Sequence, residues 1–297
     1  MRKKPAAKSN TETPIYDLEA FSDKATWADF YIQDLKRHVK EHEFISKPHK
    51  HDFYLILFIA EGQGVHTIDF KEYPVRSNSI FLMTPGQVHT WNLSPDTDGF
   101  VVFFTKEFYQ MQLSENSLLE FPFYHSLAAS PVIELADDDA VRFSLRQMFK
   151  VYSSSNTPSL RLLRAYLDIL LLEVAKYYDP SQAVNTHGNT FKLRKLEQLI
   201  DENFKTLKQP SDYGELMNLS STYLNSICKD NLDKTLTELI QERILLEAKR
   251  LFAYSDLNVN QVAEKLNFSD ASYFIRWFKK ISGITPEEFR NSQSVAK

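Results

Sequence analysis

From residue 15 to about 110, apolar and aromatic residues come in short runs. Phe53 to Ala60, Ser79 to Met83 and Phe100 to Thr105 are separated by turn clusters such as Glu61-Gly62-Gln63-Gly64 and Pro85-Gly86. Runs of this length between Gly and Pro turns predict β-strands arranged as a sandwich or barrel. The pattern changes after residue 106. Residues 137–153 and 159–178 carry apolar positions at helical spacing, and in the second Leu160, Leu163, Leu167, Leu170, Leu171 and Val174 form one stripe. Leu162, Ile169 and Leu172 occupy its other side. Such a helix packs either on its own domain alone or also on a second subunit; both readings stand, and a homodimer through residues 111–178 is the expectation carried forward.

Residues 1–14 are basic and rich in small residues, and read as a disordered arm. Residues 179–189 are polar, turn-rich and nearly uncharged, as in an interdomain linker. From Thr190, read as a helix cap, the pattern is helical throughout. Leu193, Leu196, Ile200 and Phe204 share one face, Ser211 opens a short helix, Ser220 caps the next, and Leu236 to Phe252 form a long one. Val259 begins a further group, Ser269 caps its second helix, Gly283 ends it, and Thr285-Pro286-Glu287-Glu288 opens the last.

Within this half one pattern occurs twice. Gly214, Met217, Asn218, Leu219 and Ser220 recur 49 residues later as Ala263, Leu266, Asn267, Phe268 and Ser269, whereas Leu224, Ile227, Cys228 and Lys229 recur 50 residues later as Phe274, Trp277, Phe278 and Lys279. Each copy reads as a helix-turn-helix, the second with a turn one residue longer. Small residues at Gly214 and Ala263 allow close helix approach, and Leu219 and Phe268 plug the turns. Two such units can present two helices to successive major grooves.

The segments Arg243-Ile-Leu-Leu-Glu-Ala-Lys-Arg-Leu-Phe, Val262-Ala-Glu-Lys-Leu-Asn-Phe-Ser-Asp-Ala-Ser-Tyr-Phe-Ile-Arg-Trp-Phe-Lys-Lys and Gly283-Ile-Thr-Pro-Glu-Glu-Phe-Arg290 closely resemble the AraC/XylS family of bacterial transcription regulators. The resemblance covers about residues 190–292. It implies a bipartite domain on double-stranded promoter DNA, a cupin-like effector domain in front, and RNA polymerase as a further partner. Carried over by position, Thr222, Asn225, Ser226, Ala271, Ser272 and Arg276 are the base-facing candidates. Arg suits guanine O6/N7 and Asn suits adenine, whereas Ser and Thr are less selective and Ala offers a methyl contact. Tyr223, Lys229, Lys279 and Lys280 are the phosphate candidates. Cys228 and Asp233 stand where the family usually has Phe and Gly, so the first unit is expected to be the less stable and less specific reader.

His49-Lys50-His51, Gly62, Gly64 and Pro85-Gly86-Gln87-Val88-His89 resemble the two cupin motifs. In metal-binding cupins a glutamate completes the ligand set; here Leu55 or Ile56 stands at that position. Three neutral imidazoles can hold zinc. Without the carboxylate, however, no redox oxygenase, and no metal or other cofactor, is expected. Of the aromatics Phe53, Tyr54, Phe58, Phe81, Trp91, Phe103 and Phe104, alternation places about half inside. His49, His51, Tyr54, His89 and Trp91 are the candidate residues of a pocket for an unidentified small-molecule effector.

Charge tempers this picture. From residue 190 onward 16 Lys and Arg face 15 Asp and Glu, and the whole chain carries −4. Phosphate neutralisation supplies most non-specific affinity, so near-neutrality predicts modest, salt-sensitive DNA binding assisted by a partner subunit. A single cysteine suits a reducing cytoplasm, and no apolar run reaches membrane-span length. The expected fold is thus α+β and multidomain: a cupin-like β-barrel over 15–110, dimerisation helices over 111–178, and an all-α double helix-turn-helix over 190–292. The alternative, a metal-dependent cupin enzyme with an accessory helical domain, requires a metal set that Leu55 interrupts.

Overall fold

A computed structural model describes residues 13–21, 29–110, 117–124, 130–136, 139–154, 159–178 and 187–294. Residues 179–186 of the linker expected over 179–189, and residues 1–12 of the expected arm, lie outside the described residues, whereas 187–189 are helical. The chain forms two compact units, built on residues 14–183 and 184–297.

The first unit is rich in sheet. Its strands are β1 (Ile15–Tyr16), β2 (Phe30–Asp34), β3 (Lys50–His51), β4 (Tyr54–Glu61), β5 (Gly64–Ile68), β6 (Lys71–Val75), β7 (Ser79–Met83), β8 (His89–Leu93), β9 (Asp98–Phe104) and β10 (Val132–Glu134). Its helices are α1 (Leu35–Glu41), α2 (Lys106–Gln110), α3 (Asp139–Ser153) and α4 (Leu160–Ala175). Five strands pair in the order β10-β7-β4-β9-β2, three as β6-β5-β8, and two as β1-β3. A single bridge between His49 and His89 ties the segment before β3 to β8. β10 was not foreseen: it adds to the edge of β7 from within the stretch read as helical, Ile133 opposite Ile80.

In β4 and β7 buried residues run consecutively rather than alternately. Both faces of the large sheet are covered, so both faces must be apolar. One face carries Phe53, Phe81 and Phe103 toward a group of histidines. The other carries Tyr54 and Phe104, stacked 5.3 Å apart, and Phe58, under the Arg142 guanidinium of α3 at 5.1 Å.

Helix α4 begins at Ser159, whose hydroxyl accepts the Leu162 N–H. Leu163, Leu167, Leu170, Leu171 and Val174 are fully buried. Loss of any one of these leucines to Ala costs about 2–5 kcal/mol by transfer and cavity terms. Leu160, placed in the same stripe from sequence, is instead exposed, because it sits in the first turn. The buried Arg164 Nε–H donates to the Phe108 carbonyl at 2.8 Å and Tyr109 Oη–H to Asp168 at 2.6 Å, locking α4 onto α2.

The second unit is all helix: α5 (His187–Asn203), α6 (Pro210–Met217), α7 (Ser221–Leu232), α8 (Leu236–Tyr254), α9 (Val259–Lys265), α10 (Ala271–Ser282) and α11 (Pro286–Ser294). α5 starts before Thr190, and α6 starts at Pro210 with Gln209 as its cap rather than at Ser211. Proline at the first helical position gives up an N–H that has no intrahelical partner.

Candidate nucleic-acid interface and histidine cluster

Both helix-turn-helix units are built by the same local bonds. In the first, the Leu219 N–H donates to the Gly214 carbonyl; in the second, the Phe268 N–H donates to the Ala263 carbonyl, each at 2.9 Å. Asn218 and Asn267 take the left-handed conformation the turn requires, at φ 53° and 55°. Asn tolerates that region better than other residues with a Cβ. A Cβ on Gly214 would lie 2.8 Å from the Leu219 carbonyl oxygen, so the first turn needs glycine.

Ser220 accepts the Tyr223 N–H and caps α7 as expected. Ser269 is not its counterpart. Asp270 caps α10, accepting from both Ser272 and Tyr273 N–H. The extra turn residue moves the cap into the 50-residue register of the helix that follows. At their far ends α7 stops at Asp233 with φ 53° and α10 at Gly283 with φ 84°. The first unit therefore holds an Asp in a backbone region that costs it more than Gly.

Along α7 and α10 the burial sequence is the same at nine of ten aligned positions, 221–230 against 271–280. Leu224, Ile227 and Cys228 match Phe274, Trp277 and Phe278 inside. Burial pushes the Cys228 thiol up to about 12, which makes it a packing group rather than a nucleophile. Thr222, Ser226, Ser272 and Arg276 lie exposed on the opposite faces, with Ala271 half-exposed beside them. The odd position is Asn225. Its Oδ1 accepts the Leu236 N–H at 3.1 Å, which half-buries it against the start of α8, whereas Ile275 at the equivalent place is exposed.

Other candidates are also engaged. Ser226 donates to Asp230 at 3.1 Å. Tyr223 Oη accepts from Lys192 Nζ at 2.9 Å, bringing α5 to the edge of α7. Lys229, Lys279 and Lys280 are exposed. Lys208, from the loop before α6, sits 3.8 Å above the Phe268 ring and donates to the Asn267 carbonyl at 2.6 Å. Burial lowers its ammonium to about 8. Ile275 and Lys192 are absent from the expected set; the 50-residue offset that pairs Ile275 with Asn225 was the available signal.

The spine of the unit is α8. Thr235 and Glu238 close its start with a reciprocal capping pair, Thr235 Oγ1 accepting from the Glu238 N–H at 3.1 Å. Inside, Arg243 and Arg250 both donate to the buried Glu247, at 3.2 and 3.1 Å, and Arg243 reaches Asp201 of α5. Breaking a buried pair of this kind strands a charge and costs about 3–5 kcal/mol.

In the first unit His38, His42, His49, His51, His66 and His89 are buried. His51 Nε2 lies 2.8 Å from His89 Nε2, and His89 Nδ1 lies 2.9 Å from His66 Nε2, a chain of three imidazoles. His49 Nδ1–H donates to the Lys47 carbonyl at 2.8 Å. His38 Nδ1 bonds Tyr31 Oη at 2.9 Å. Burial disfavours the charged ring, lowering His49 to about 4 and His66 to about 3, with His38, His51 and His89 also held well below the usual range.

Of the five pocket candidates, His49, His51, His89 and Trp91 come together; Trp91 packs 5.4 Å from His89 and 5.6 Å from His66. Tyr54 does not join them, because it follows Phe53 and so points to the sheet's other face, onto Phe104 and Tyr124. His66 was missed. It pairs with Trp91 across β5 and β8, with Ile68 opposite His89, so it shares their face.

Residues 35–172 match the AraC-like ligand binding domain, and residues 213–292 match a helix-turn-helix domain. An HTH-type transcriptional regulator of Bacillus subtilis is 23% identical over 257 residues, covering 84% of this chain and 80% of the relative. The Msm operon regulatory protein of Streptococcus mutans is 23% identical, covering 80% and 84%. The transcriptional activator RhaR of Cronobacter sakazakii is 21% identical, covering 82% and 86%. Among solved structures, ToxT from Vibrio cholerae aligns over 88% of this chain and 98% of its own, at 14% identity and a TM-score of 0.42.

Proposed function

Because the chain belongs to the AraC family of DNA-binding transcription regulators, we propose that α7 and α10 enter adjacent stretches of the major groove of a promoter site. The observation that carries this is the matched burial of residues 221–230 and 271–280, which leaves the same face of both helices uncovered. Thr222, Ser226, Ala271, Ser272 and Arg276 face bases on this reading, and exposed Ile275 offers a contact for a thymine methyl. Arg276 is the principal discriminator, since its fork can bond guanine bidentately. Asn225 acts instead as a positioning residue for α8. Lys229, Lys279, Lys280 and Tyr223 hold phosphates, with Lys192 beside them.

The histidine-bearing face of the first unit, with His49, His51, His89 and Trp91, is the proposed effector site. An effector alters DNA binding only if it binds two states of the protein unequally. A homodimer joins the reading heads. Leu162, Ala165, Ile169 and Leu172 are exposed on α4 at spacings of 3, 4 and 3, the seam of a paired helix. This role places the protein in the cytoplasm, acting without chemistry of its own; no described helix is long and apolar enough to cross a membrane.

Selection of bound duplexes from a random library at low salt tests the DNA reading. A recurring bipartite motif is expected, and Arg276→Ala is expected to relax one position by about 1–3 kcal/mol. A library that returns no motif sinks the proposal; a motif that survives Arg276→Ala unchanged removes Arg276 from base reading.

A further inference from the structure

We propose that His49, His51 and His89 bind a zinc-class divalent ion, with His66 and the Lys47 carbonyl orienting the ligand rings. One nitrogen from each of the three histidines lies within 4.8 Å of the others, and all three rings are buried. Ligands on a tetrahedral zinc with Zn–N of about 2.0–2.1 Å stand roughly 3.3–3.4 Å apart. The cluster brackets that spacing, from 2.8 Å between His51 and His89 Nε2 to the 4.8 Å limit. Side-chain adjustments of about an ångström therefore form the set.

Proton accounting points the same way. A carbonyl accepts only, so His49 carries its proton on Nδ1, toward Lys47, and keeps a lone pair on Nε2. If His89 Nδ1–H donates to His66 Nε2, His89 also keeps its Nε2 lone pair facing His51. Metal-bound histidines commonly donate their second ring nitrogen to a carbonyl or another acceptor, which fixes ring and tautomer. His49 already has that arrangement, and His89 has it in the tautomer that donates to His66. His51 is the third. With His89 in that tautomer, His51 Nε2–H donates to His89 Nε2, and the buried His51 Nδ1 has no hydrogen-bond partner among the described residues. An ion takes over the Nε2 lone pairs, and the His51 proton moves to Nδ1, for which the described residues offer no acceptor.

The donor set selects the ion. Three neutral imidazoles without thiolate or carboxylate suit Zn²⁺, Co²⁺, Ni²⁺ or Cu²⁺ and not Mg²⁺ or Ca²⁺. The fourth position is left to water or to an anionic oxygen of a small molecule. This inference stands apart from the DNA-reading proposal, since no residue of α5 to α11 takes part.

The test uses the tag-free full chain, stripped by chelator and checked for a cooperative melt. Titration with Zn²⁺ against a chromogenic competitor is expected to give one ion per chain, with a rise in Tm that Mg²⁺ does not produce. Co²⁺ is expected to give the visible bands of a tetrahedral site, and X-ray absorption on the wild-type zinc form is expected to report three imidazoles. His49→Gln with His89→Gln abolishes binding. His66→Leu weakens it by about 10–100-fold, whereas His66→Gln, which still accepts from His89, stays close to wild type. Stripped, folded wild-type protein that takes up no stoichiometric zinc overturns the proposal. So does a spectrum showing sulfur or mainly carboxylate ligands, a reading that holds whether or not any variant folds.

Discussion

The side-chain oxygen of Asn225 accepts the backbone N–H of Leu236 across the turn between α7 and α8, at 3.1 Å. The bond satisfies one of the N–H groups that the start of a helix leaves without an intrahelical partner. It also spends the acceptor that Asn would offer to adenine. Asn225→Ala is accordingly expected to lower stability by about 1 kcal/mol while leaving base preference unchanged. Thermal melts together with selected-motif comparison check this; a change of preferred base without loss of stability would overturn it.

Gly214 and Ala263 occupy matching places, yet only the first must be glycine. Gly→Ala inside a helix normally stabilises by up to about 1 kcal/mol. At Gly214 the new methyl meets the Leu219 carbonyl oxygen at 2.8 Å. Gly214→Ala is therefore expected to destabilise by about 1–3 kcal/mol through forced displacement of the turn. Denaturant melts decide the sign.

Asp233 holds a left-handed C-cap where the second unit uses Gly283. Asp233→Gly relieves that strain and is expected to add about 1 kcal/mol. Hydrogen exchange in α7 should slow more than in α10. Equal slowing in both helices would mean that the two units do not differ in local stability.

How much of this was visible beforehand depends on which force set each feature. The helical half was legible nearly residue by residue, because caps, turns and 3.6-residue periodicity are local. Its slips were small: the starts of α5 and α6 lie one to three residues earlier than read, and Ser269 for Asp270 came from carrying the turn's register into the helix. The front unit was legible as strands but not as a sheet buried on both faces. Alternation assumes a wet face, and α3 and α4 remove it. Hence Tyr54 joined the histidines on paper and parted from them in space. His66 stayed hidden for the opposite reason. It lies in no motif, and only the pairing of β5 with β8 brings it beside His89.

The buried histidines set an acid limit on the metal-free protein. His38 is held well below its usual range, chiefly by burial and then by the neighbouring His42 and His49, and burial lowers His66 to about 3. Below pH 6.5 the unfolded chain takes up protons that these folded rings refuse, so stability falls as pH falls. Each such ring contributes about 1.4 kcal/mol per pH unit until its folded value is reached. Urea melts between pH 7.5 and 5 are expected to show this slope. His38→Gln, which can still bond Tyr31, should reduce it; an unchanged slope would remove His38 from the acid response.

Leu162, Ile169 and Leu172 are 42, 45 and 52% exposed on α4. Ile169→Glu with Leu172→Glu is expected to yield a folded monomer by analytical ultracentrifugation. Affinity for a two-site duplex should drop by about 10²-fold or more as avidity is lost. A variant that still sediments as a dimer places the interface elsewhere.

Helix α8 runs unbroken for 19 residues, with Phe252 packed against Phe274 and Phe278 near its end and Asn225 fastened to its start. The gap between the two reading helices is thus a rigid length and not a tether. A tether would let each head follow its own sequence along the duplex. With α7 and α10 reading DNA as proposed, a rod instead makes the protein a gauge of helical phase. One base pair inserted between the two halves of its target turns the second groove away by roughly a tenth of a turn. The chain has no slack with which to follow it.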